Sequence, residues 1–284
     1  MDSVTPTELV RDGTAAGLKK AQLPVRDMLL RGALSGAILG IATSLAFVIV
    51  SQGLPPIAGA IAFPVGFVIL VLLGLELVTG NFALFPQAVA ARKLGAGQML
   101  SAWCWVYAGN LLGSVAYAVL FWAAYTYFGT SDGGALAEIT RAVAEKKTLA
   151  YAEHGAAGWA TALTKAVLCN WMVTIGTVLA FASRSTIGRI AAMWLPITIF
   201  FAHGYEHCVV NMFVIPAGML FGAGISAGDW WLWNQIPATL GNIAGGAVLT
   251  GLALWYTHAR PQPTGNVLLL GTPGPGHDEV GERG

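Results

Sequence analysis

Residues 190–222 read IAAMWLPITIFFAHGYEHCVVNMFVIPAGMLFG, a run that is too long for a single crossing of a membrane. About 20 apolar residues are enough for a helix to span the hydrocarbon core. Within this run the polar sequence HGYEH, residues 203–207, separates two shorter apolar pieces. Polar residues and a glycine at that depth are typical of a membrane helix that is broken near the midplane. We therefore predict a membrane protein with a polar site at this break.

The overall composition agrees with this prediction. Of the 284 residues, 56% are hydrophobic and 10% are charged, whereas about 25% of the residues in a typical soluble domain are charged. The apolar runs are long and do not alternate in polarity, so they predict helices rather than the strands of a barrel. We predict an all-α integral membrane protein with six transmembrane helices, at residues 32–52, 57–78, 98–127, 159–182, 190–222 and 236–257.

A second polar break lies at the end of the second span. Residues 76–81 read ELVTGN and Pro86 follows, which again predicts a broken helix. Glu76 precedes Glu206 by 130 positions. Two further groups recur at similar offsets, namely Thr43, Leu45, Ala46 and Phe47 as Thr177, Leu179, Ala180 and Phe181, and Gly109, Asn110 and Gly113 as Gly241, Asn242 and Gly245. We predict two inverted three-helix repeats, with helices 2 and 5 broken.

Charges that flank the spans predict the orientation. Basic residues gather before span one, after span two and after span four, as Arg11, Lys19, Lys20, Arg26, Arg31, Arg92, Lys93, Arg184 and Arg189. Six spans place all of these positions on one side, which the positive-inside rule makes cytoplasmic. We therefore expect both termini in the cytoplasm and the chain in the inner (plasma) membrane of the cell.

Two segments flank the predicted six-helix transmembrane domain, residues 32–258. In residues 1–31, Thr5, Pro6 and Glu8 fit the start of a helix. We predict a cytoplasmic amphipathic helix there, lying on the membrane surface or on a neighbouring subunit. Residues 259–284 are rich in proline and glycine and are predicted to be a disordered cytoplasmic tail.

Polar side chains at membrane depth are costly and therefore mark candidate functional residues. His207 stands out, because imidazole exchanges a proton near neutral pH. Glu206 cannot share a helical face with His207, so we expect it to bind backbone or a positive group at the break. Two other interpretations stay open, a pair of packing kinks and a purely structural histidine whose partner is Thr79.

A zinc site is a competing interpretation of the same residues. His203, Glu206 and His207 match H-x-x-E-H, in which two histidines one turn apart bind zinc and the glutamate acts as a base. A third ligand is missing, because the carboxylates that follow, Asp229, Asp278, Glu279 and Glu282, are all predicted outside the membrane. Gly204 also weakens the required helix. An intramembrane peptidase is therefore the weakest of the alternatives, and we expect no metal.

Composition argues against nucleic acid as a partner and against a disulfide framework. The net charge is only +1, which gives no electrostatic footprint for nucleic acid. The three cysteines all fall within apolar runs, where they pack as small side chains and indicate no disulfide framework. We expect no cofactor and no enzymatic activity.

Five short motifs carry a resemblance to a known family. They are ELVTGN at residues 76–81, Gly109 with Asn110, Asn170 with Trp171, GYEHCVVNM at residues 204–212, and IPATLGNIAGG at residues 236–246. Together they resemble the formate/nitrite transporter family over nearly all of residues 5–260. The resemblance implies an aquaporin-like fold in a homopentamer within the lipid bilayer. It also implies that each protomer conducts a small monovalent anion such as formate or nitrite, often with a proton.

The resemblance also implies roles for individual residues. It pairs Thr79 with His207 at the substrate site and adds Asn170, Glu206 and Asn211 as structural or pathway residues. The family's apolar constrictions fall here on Phe63, Phe67, Leu77, Val78 and Phe200.

Two positions depart from the family's pattern. Where the family usually has an external lysine, this sequence has His154, although Lys146 and Lys147 are close and a gap restores one of them. Attraction of anions to that vestibule is then expected to depend on pH. His203 stands where a small uncharged residue is more common, and it either packs or tunes His207.

These observations predict cotransport of a weak-acid anion with a proton. An anion between apolar constrictions is several kcal/mol too costly, and protonation near His207 removes most of that cost. The alternative is a gated anion channel in which His207 becomes charged and the anion never takes a proton. The sequence leaves the identity of the anion and the direction of transport open.

Overall fold

The computed structural model describes residues 3–260, which are helical apart from turns and an isolated antiparallel bridge between Ser3 and Ser183. The helices are α1 (Pro6–Ala21), α2 (Val25–Ser51), α3 (Pro56–Leu72), α4 (Val78–Ala90), α5 (Ala96–Thr126), α6 (Gly134–Lys146), α7 (Leu149–Glu153), α8 (Gly155–Leu179), α9 (Thr186–Ala202), α10 (Cys208–Leu220) and α11 (Ala227–His258). Helix α3 passes through Phe63, where proline follows, and α11 contains two π-helical stretches.

Four of the described helices, α2, α5, α8 and α11, are long and apolar enough to cross a membrane. Their outer faces are apolar as well. On α2, for example, Leu30, Leu34, Ile41 and Leu45 lie along one side and are exposed. A stripe of this kind needs lipid or a neighbouring subunit to cover it. The protein is thus built from apolar helices with an apolar exterior.

Residues 203–207 lie between two helices, and so do Glu76 and Leu77, the first two residues of ELVTGN. Helix α3 ends at Leu72 and α4 begins at Val78, while α9 ends at Ala202 and α10 begins at Cys208. Gly74 and Gly204 follow the first helix of each pair with φ of +66° and +63°. This left-handed conformation is open to glycine and strained for other residues, which explains the glycine at both positions.

Helix α4 extends beyond the second predicted span, which ended at residue 78. Its Asn81, Pro86 and Gln87 lower the local hydropathy, so the hydropathy pattern predicts no separate span there. Residues 78–88 are nevertheless buried throughout. Helix α10 is buried to the same extent from Cys208 to Gly218. These two short helices form the centre of the molecule.

The segment between α5 and α8, predicted as a loop, contains α6 and α7. Helix α6 packs on α10, and α1 packs on α4 in the corresponding way. Both α1 and α6 end in a pair of lysines, Lys19 with Lys20 and Lys146 with Lys147. The two helices therefore hold matching places beside the two central helices.

The N-terminal helix α1 is shorter than the segment of residues 1–31 in which a separate helix was predicted. Helix α1 begins with a capping box between Thr5 and Glu8, in which Thr5 also lowers the pKa of the Glu8 carboxyl by hydrogen bonding. Helix α2 then begins at Val25, so residues 25–31 belong to α2. The predicted tail, residues 259–284, lies outside the described residues from 261 onward.

Candidate functional site

The first break carries a buried carboxylate. Glu76 is 1% exposed, and its two oxygens accept hydrogen bonds from Lys20 Nζ at 2.7 Å and Asn81 Nδ2 at 3.0 Å. Lys20 reaches it from the C-terminal turn of α1 and also donates to the Leu75 carbonyl. Removing one partner from a buried ion pair is strongly destabilising, so α1 is anchored to the break through this contact.

The second break carries the same arrangement with more donors. Glu206 is buried and accepts from Lys147 Nζ at 2.9 Å, from the Tyr151 hydroxyl at 2.8 Å, and from Asn211 and Asn234. Burial, together with the Glu206 carboxylate, raises the pKa of Tyr151, so its hydroxyl stays protonated and donates. The expected positive partner of Glu206 is therefore Lys147 at the end of α6.

Two asparagines hold the chain at the breaks. Asn110 donates to the carbonyls of Glu76 and Gly32 and accepts from the Val78 amide. Asn242 donates to the carbonyls of Glu206 and Ala166 and accepts from the Cys208 amide. Unpaired backbone groups are not tolerated at membrane depth. These two side chains supply the partners that the interrupted helices lack.

His207 and Thr79 meet between the two breaks. His207 is 1% exposed, and its Nε2 lies 3.0 Å from Thr79 Oγ1. Its Nδ1 accepts a hydrogen bond from the Val210 amide, so His207 caps α10. A nitrogen that accepts cannot carry the proton, which assigns the ring as the neutral tautomer with hydrogen on Nε2. Nε2 then donates toward Thr79.

Asn170 on α8 borders this pair. Its Nδ2 donates to the Thr79 carbonyl at 3.1 Å and to the Asn242 carbonyl. Its Oδ1, like that of Asn211, is buried and has no hydrogen-bond partner within residues 3–260. Buried acceptors without partners are costly and therefore rare in proteins. Asn170 thus offers a free acceptor next to Thr79 and His207.

One of the residues predicted as constrictions lies directly against His207. Phe200 stacks on the His207 ring with centroids 5.5 Å apart, and Phe63 meets Phe200 edge to face at 5.6 Å. Phe67, Leu77 and Val78 are buried as well. An anion at this point has apolar surface on most sides.

A cavity of about 170 Å³ lies on the side of α1. Its lining includes Leu77 and Asn81 with two basic residues, Lys20 and Arg189. Lys20 is neutralised by Glu76, whereas Arg189 donates its Nε to the Ala180 carbonyl and has no carboxylate partner among the described residues. Sequence reasoning used these two residues only for orientation, because their approach to the first break depends on long-range packing.

Of the three predicted vestibule residues, Lys147 contacts the second break, whereas within residues 3–260 no such contact is made by the other two. Lys147 makes the contact with Glu206 through its Nζ. The backbone carbonyl of Lys147 accepts a hydrogen bond from Asn234 Nδ2. Lys146 and His154 are exposed and make no hydrogen bond with their side chains among the described residues. Asn234 and Tyr151 were missed in the sequence, since neither stands inside a predicted span.

The residues of the zinc pattern point apart. His203 is exposed, its Nδ1 lies 2.8 Å from the Ile199 carbonyl oxygen, and its ring stacks on Tyr205. His207 is directed to Thr79 instead. In the described part of the chain no group of three or more metal-ligating side chains converges. The geometry brings these histidines into two separate environments.

Comparison with known proteins gives one consistent result. A family model described as "Formate/nitrite transporter" matches residues 7–256. A probable formate transporter of Methanothermobacter thermautotrophicus is 33% identical over 271 residues, covering 90% of this chain and 97% of the relative. The formate channel FocA of Escherichia coli strain K12 is 27% identical over 288 residues, covering 91% and 96%.

Solved structures agree with these relatives. One described as an FNT family ion channel superposes with a TM-score of 0.76 at 26% identity, covering 90% of this chain and 100% of that chain. Another, a pentameric formate channel with formate bound, gives a TM-score of 0.68 at 25% identity, covering 83% and 98%.

Proposed function

Because the chain belongs to the formate/nitrite transporter family, we propose that it carries a small monovalent weak-acid anion, of the formate or nitrite class, across the membrane together with a proton. The observation that carries the proposal is the contact between Thr79 and His207, buried between two breaks and bordered by apolar rings. It provides hydrogen-bonding groups for one small polar molecule and little else.

The apolar surroundings explain why a proton accompanies the anion. An unpaired charge in such a place costs several kcal/mol, and protonation converts it to a neutral acid. The neutral acid can both donate and accept hydrogen bonds. Thr79, the Nε2–H of His207 and the free Oδ1 of Asn170 provide the complementary groups.

The tautomer of His207 defines how it takes part. A second proton on the ring has to go to Nδ1, and this breaks the bond from the Val210 amide. His207 therefore acts as a neutral hydrogen-bond donor, and the proton reaches the anion through water in the vestibule. This argues against the channel alternative in which His207 becomes charged.

The two lysines set the electrostatics of the approaches. Lys20 and Lys147 stand on the two sides of the site and each is paired with a glutamate, so they hold positive charge near the breaks without exposing it fully. Arg189, beside Leu77, adds a positive charge that has no carboxylate partner within residues 3–260. This charge attracts the anion to the mouth on that side, while the central site selects the neutral form.

The architecture that we propose follows from the matched contacts. The chain forms six crossings in two inverted repeats, in an aquaporin-like arrangement, with α3–α4 and α9–α10 as the broken crossings. Both termini lie in the cytoplasm and the protein resides in the inner membrane. We propose a homopentamer, in line with the solved relative that is described as pentameric with formate bound.

A channel remains the second candidate, because two relatives are described as formate channels. Nitrite and nitrate separate the candidates, since they are similar in size and charge but only nitrite is the anion of a weak acid. We expect stopped-flow uptake into proteoliposomes to be fast for formate and nitrite and at least about 100-fold slower for nitrate, from about 3 kcal/mol of unneutralised charge. Equal rates for nitrite and nitrate support the channel and contradict cotransport.

A further inference from the structure

A large cavity lies away from the transport site, where α1, the end of α4 and the end of α11 meet. Its volume is about 1010 Å³. The basic residues that line it come from all three elements, and they are Arg11, Arg92, Lys93, His258 and Arg260. No acidic residue lines this cavity within residues 3–260. One site therefore collects four permanent positive charges and a histidine.

The four permanent charges form no ion pair within residues 3–260, unlike several basic residues around them. Arg184 pairs with Asp12 on the neighbouring turn of α1, and Arg26 and Arg31 both pair with Asp27. None of the four cavity arginines and lysines has a carboxylate within 4.0 Å in the described part of the chain. Like charges held together repel one another. Such a group is stabilised when an anion binds among them.

The backbone at Arg92 supplies a second observation. Arg92 follows the end of α4 with φ of +57°, where glycine is the usual residue. A non-glycine side chain in this left-handed conformation is sterically disfavoured. The arginine is thus held under strain at the wall of the cavity. Binding of an anion by its guanidinium gives a reason for that strain.

The cavity also borders the membrane surface. Trp255 lines it near the end of α11, and the Arg260 guanidinium carbon lies 3.8 Å from the centre of the Tyr256 ring. Tryptophan and tyrosine at the end of a membrane helix are typical of the interface. Basic pockets between membrane helices on the cytoplasmic side hold lipid head groups, and arginine binds phosphate bidentately.

We propose that this cavity binds a phosphate-bearing anion at the membrane surface. Its phosphate lies among Arg11, Arg92, Lys93 and Arg260, and the rest of the molecule lies toward Trp255. A phospholipid head group and a soluble phosphate share this chemistry. The site is separate from Thr79 and His207, so its test does not depend on transport.

The test measures the melting temperature of the purified full-length chain in detergent with one added probe. The probes are dioleoylphosphatidylglycerol, dioleoylphosphatidylcholine and inorganic pyrophosphate. We expect a rise of several degrees with phosphatidylglycerol or pyrophosphate, as binding to the folded state requires, and little with phosphatidylcholine. A rise with the anionic lipid alone assigns the ligand as a head group, and one with pyrophosphate alone assigns it as a soluble phosphate.

The variant Arg92→Gln/Lys93→Gln should lose at least two thirds of that rise. The control Arg26→Gln/Lys146→Gln removes the same charge outside the cavity and should keep it. Arg11→Gln, on a different helix, provides a second variant and should weaken the effect. The proposal is overturned if no anionic probe stabilises the wild type, or if the cavity variants respond as the control does.

One competing occupant belongs to the chain itself. Residues 261–284 contain Asp278, Glu279 and Glu282. If stabilisation by the anionic probes appears only after deletion of residues 261–284, these carboxylates occupy the site and the proposal is wrong. Stabilisation that is already present in the full-length chain supports it.

Discussion

The break between α3 and α4 and the break between α9 and α10 share one set of polar contacts and differ in the buried residues that follow each glutamate. Each has a glutamate paired with a lysine, an asparagine one turn later that also holds the glutamate, and a distant asparagine that caps the backbone. The N-cap residue, directly before the second helix, is Leu77 in one and His207 in the other. The shared contacts build the breaks, so the chemistry is expected where they differ.

The breaks also differ in how fully their carboxylates are satisfied. Glu76 has two side-chain donors, Lys20 and Asn81, whereas Glu206 has four. Loss of Lys20 therefore leaves Glu76 with one side-chain donor among the described residues, whereas loss of Lys147 leaves Glu206 with three.

The largest expected effect is on stability, at the first break. Lys20→Met should destabilise the protein by about 3–5 kcal/mol, because it leaves the buried Glu76 with one donor. Lys147→Met should cost less, about 2 kcal/mol, because Tyr151, Asn211 and Asn234 still bind Glu206. Melting of the detergent-purified protein measures both. The double variant Lys20→Met/Glu76→Gln should recover part of the loss, and a larger cost at Lys147 contradicts the ranking.

The second prediction makes the two breaks alike at the N-cap of the second helix. His207→Leu should lower the formate uptake rate about 100-fold, because it removes the hydrogen-bond donor from the apolar site. The protein should still fold, since α4 forms with Leu77 at its N-cap and no side-chain cap hydrogen bond, and the lost cap costs about 1 kcal/mol. His207→Asn keeps a cap and a donor and should retain more activity. Wild-type uptake in His207→Leu would remove His207 from the mechanism.

A smaller effect is expected at the mouth beside the first break. Arg189→Gln should weaken the apparent affinity for anion entering from that side about three-fold, because a charge in a wet vestibule contributes under about 1 kcal/mol. The maximal rate should change little. Arg184→Gln is the matched control, since Arg184 is on the same side but is paired with Asp12. Equal effects of the two variants indicate general surface charge instead.

The smallest effect is expected at His154. His154→Lys should improve apparent affinity slightly above about pH 7 and not near pH 5, since lysine stays charged where histidine does not. The exposed position and screening over about 8 Å keep the effect small. Uptake measured at both pH values tests it. A large effect at either pH shows that the residue at position 154 affects the apparent affinity for the anion more than its exposed position indicates.

Much of this comparison could be predicted from the sequence, and the limits have physical causes. Glycine and polar residues at the breaks are local features. Together with the offset between Glu76 and Glu206 they predicted where the helices are interrupted. The partners of the glutamates were not predicted, because Lys20 and Tyr151 lie more than 50 residues away in the chain and are joined to the breaks only by packing. Helix α6 was missed because its mixed polarity resembles an ordinary surface loop.

At the site, too, one feature could be predicted from the sequence and another could not. The resemblance pairs Thr79 with His207, and these side chains lie 3.0 Å apart. The tautomer of His207 had no signal in the sequence, since it depends on the bond from the Val210 amide. With Nδ1 as acceptor the ring is neutral, and we therefore propose that His207 acts as a hydrogen-bond donor rather than as a proton carrier.

The stoichiometry of transport tests the central claim most directly. Formate uptake and internal pH are followed together in proteoliposomes without a membrane potential, with liposomes that contain His207→Leu as the baseline for leakage. The account predicts one proton carried for each formate above that baseline, at every external pH. Formate uptake through the wild-type protein with no accompanying proton would contradict it.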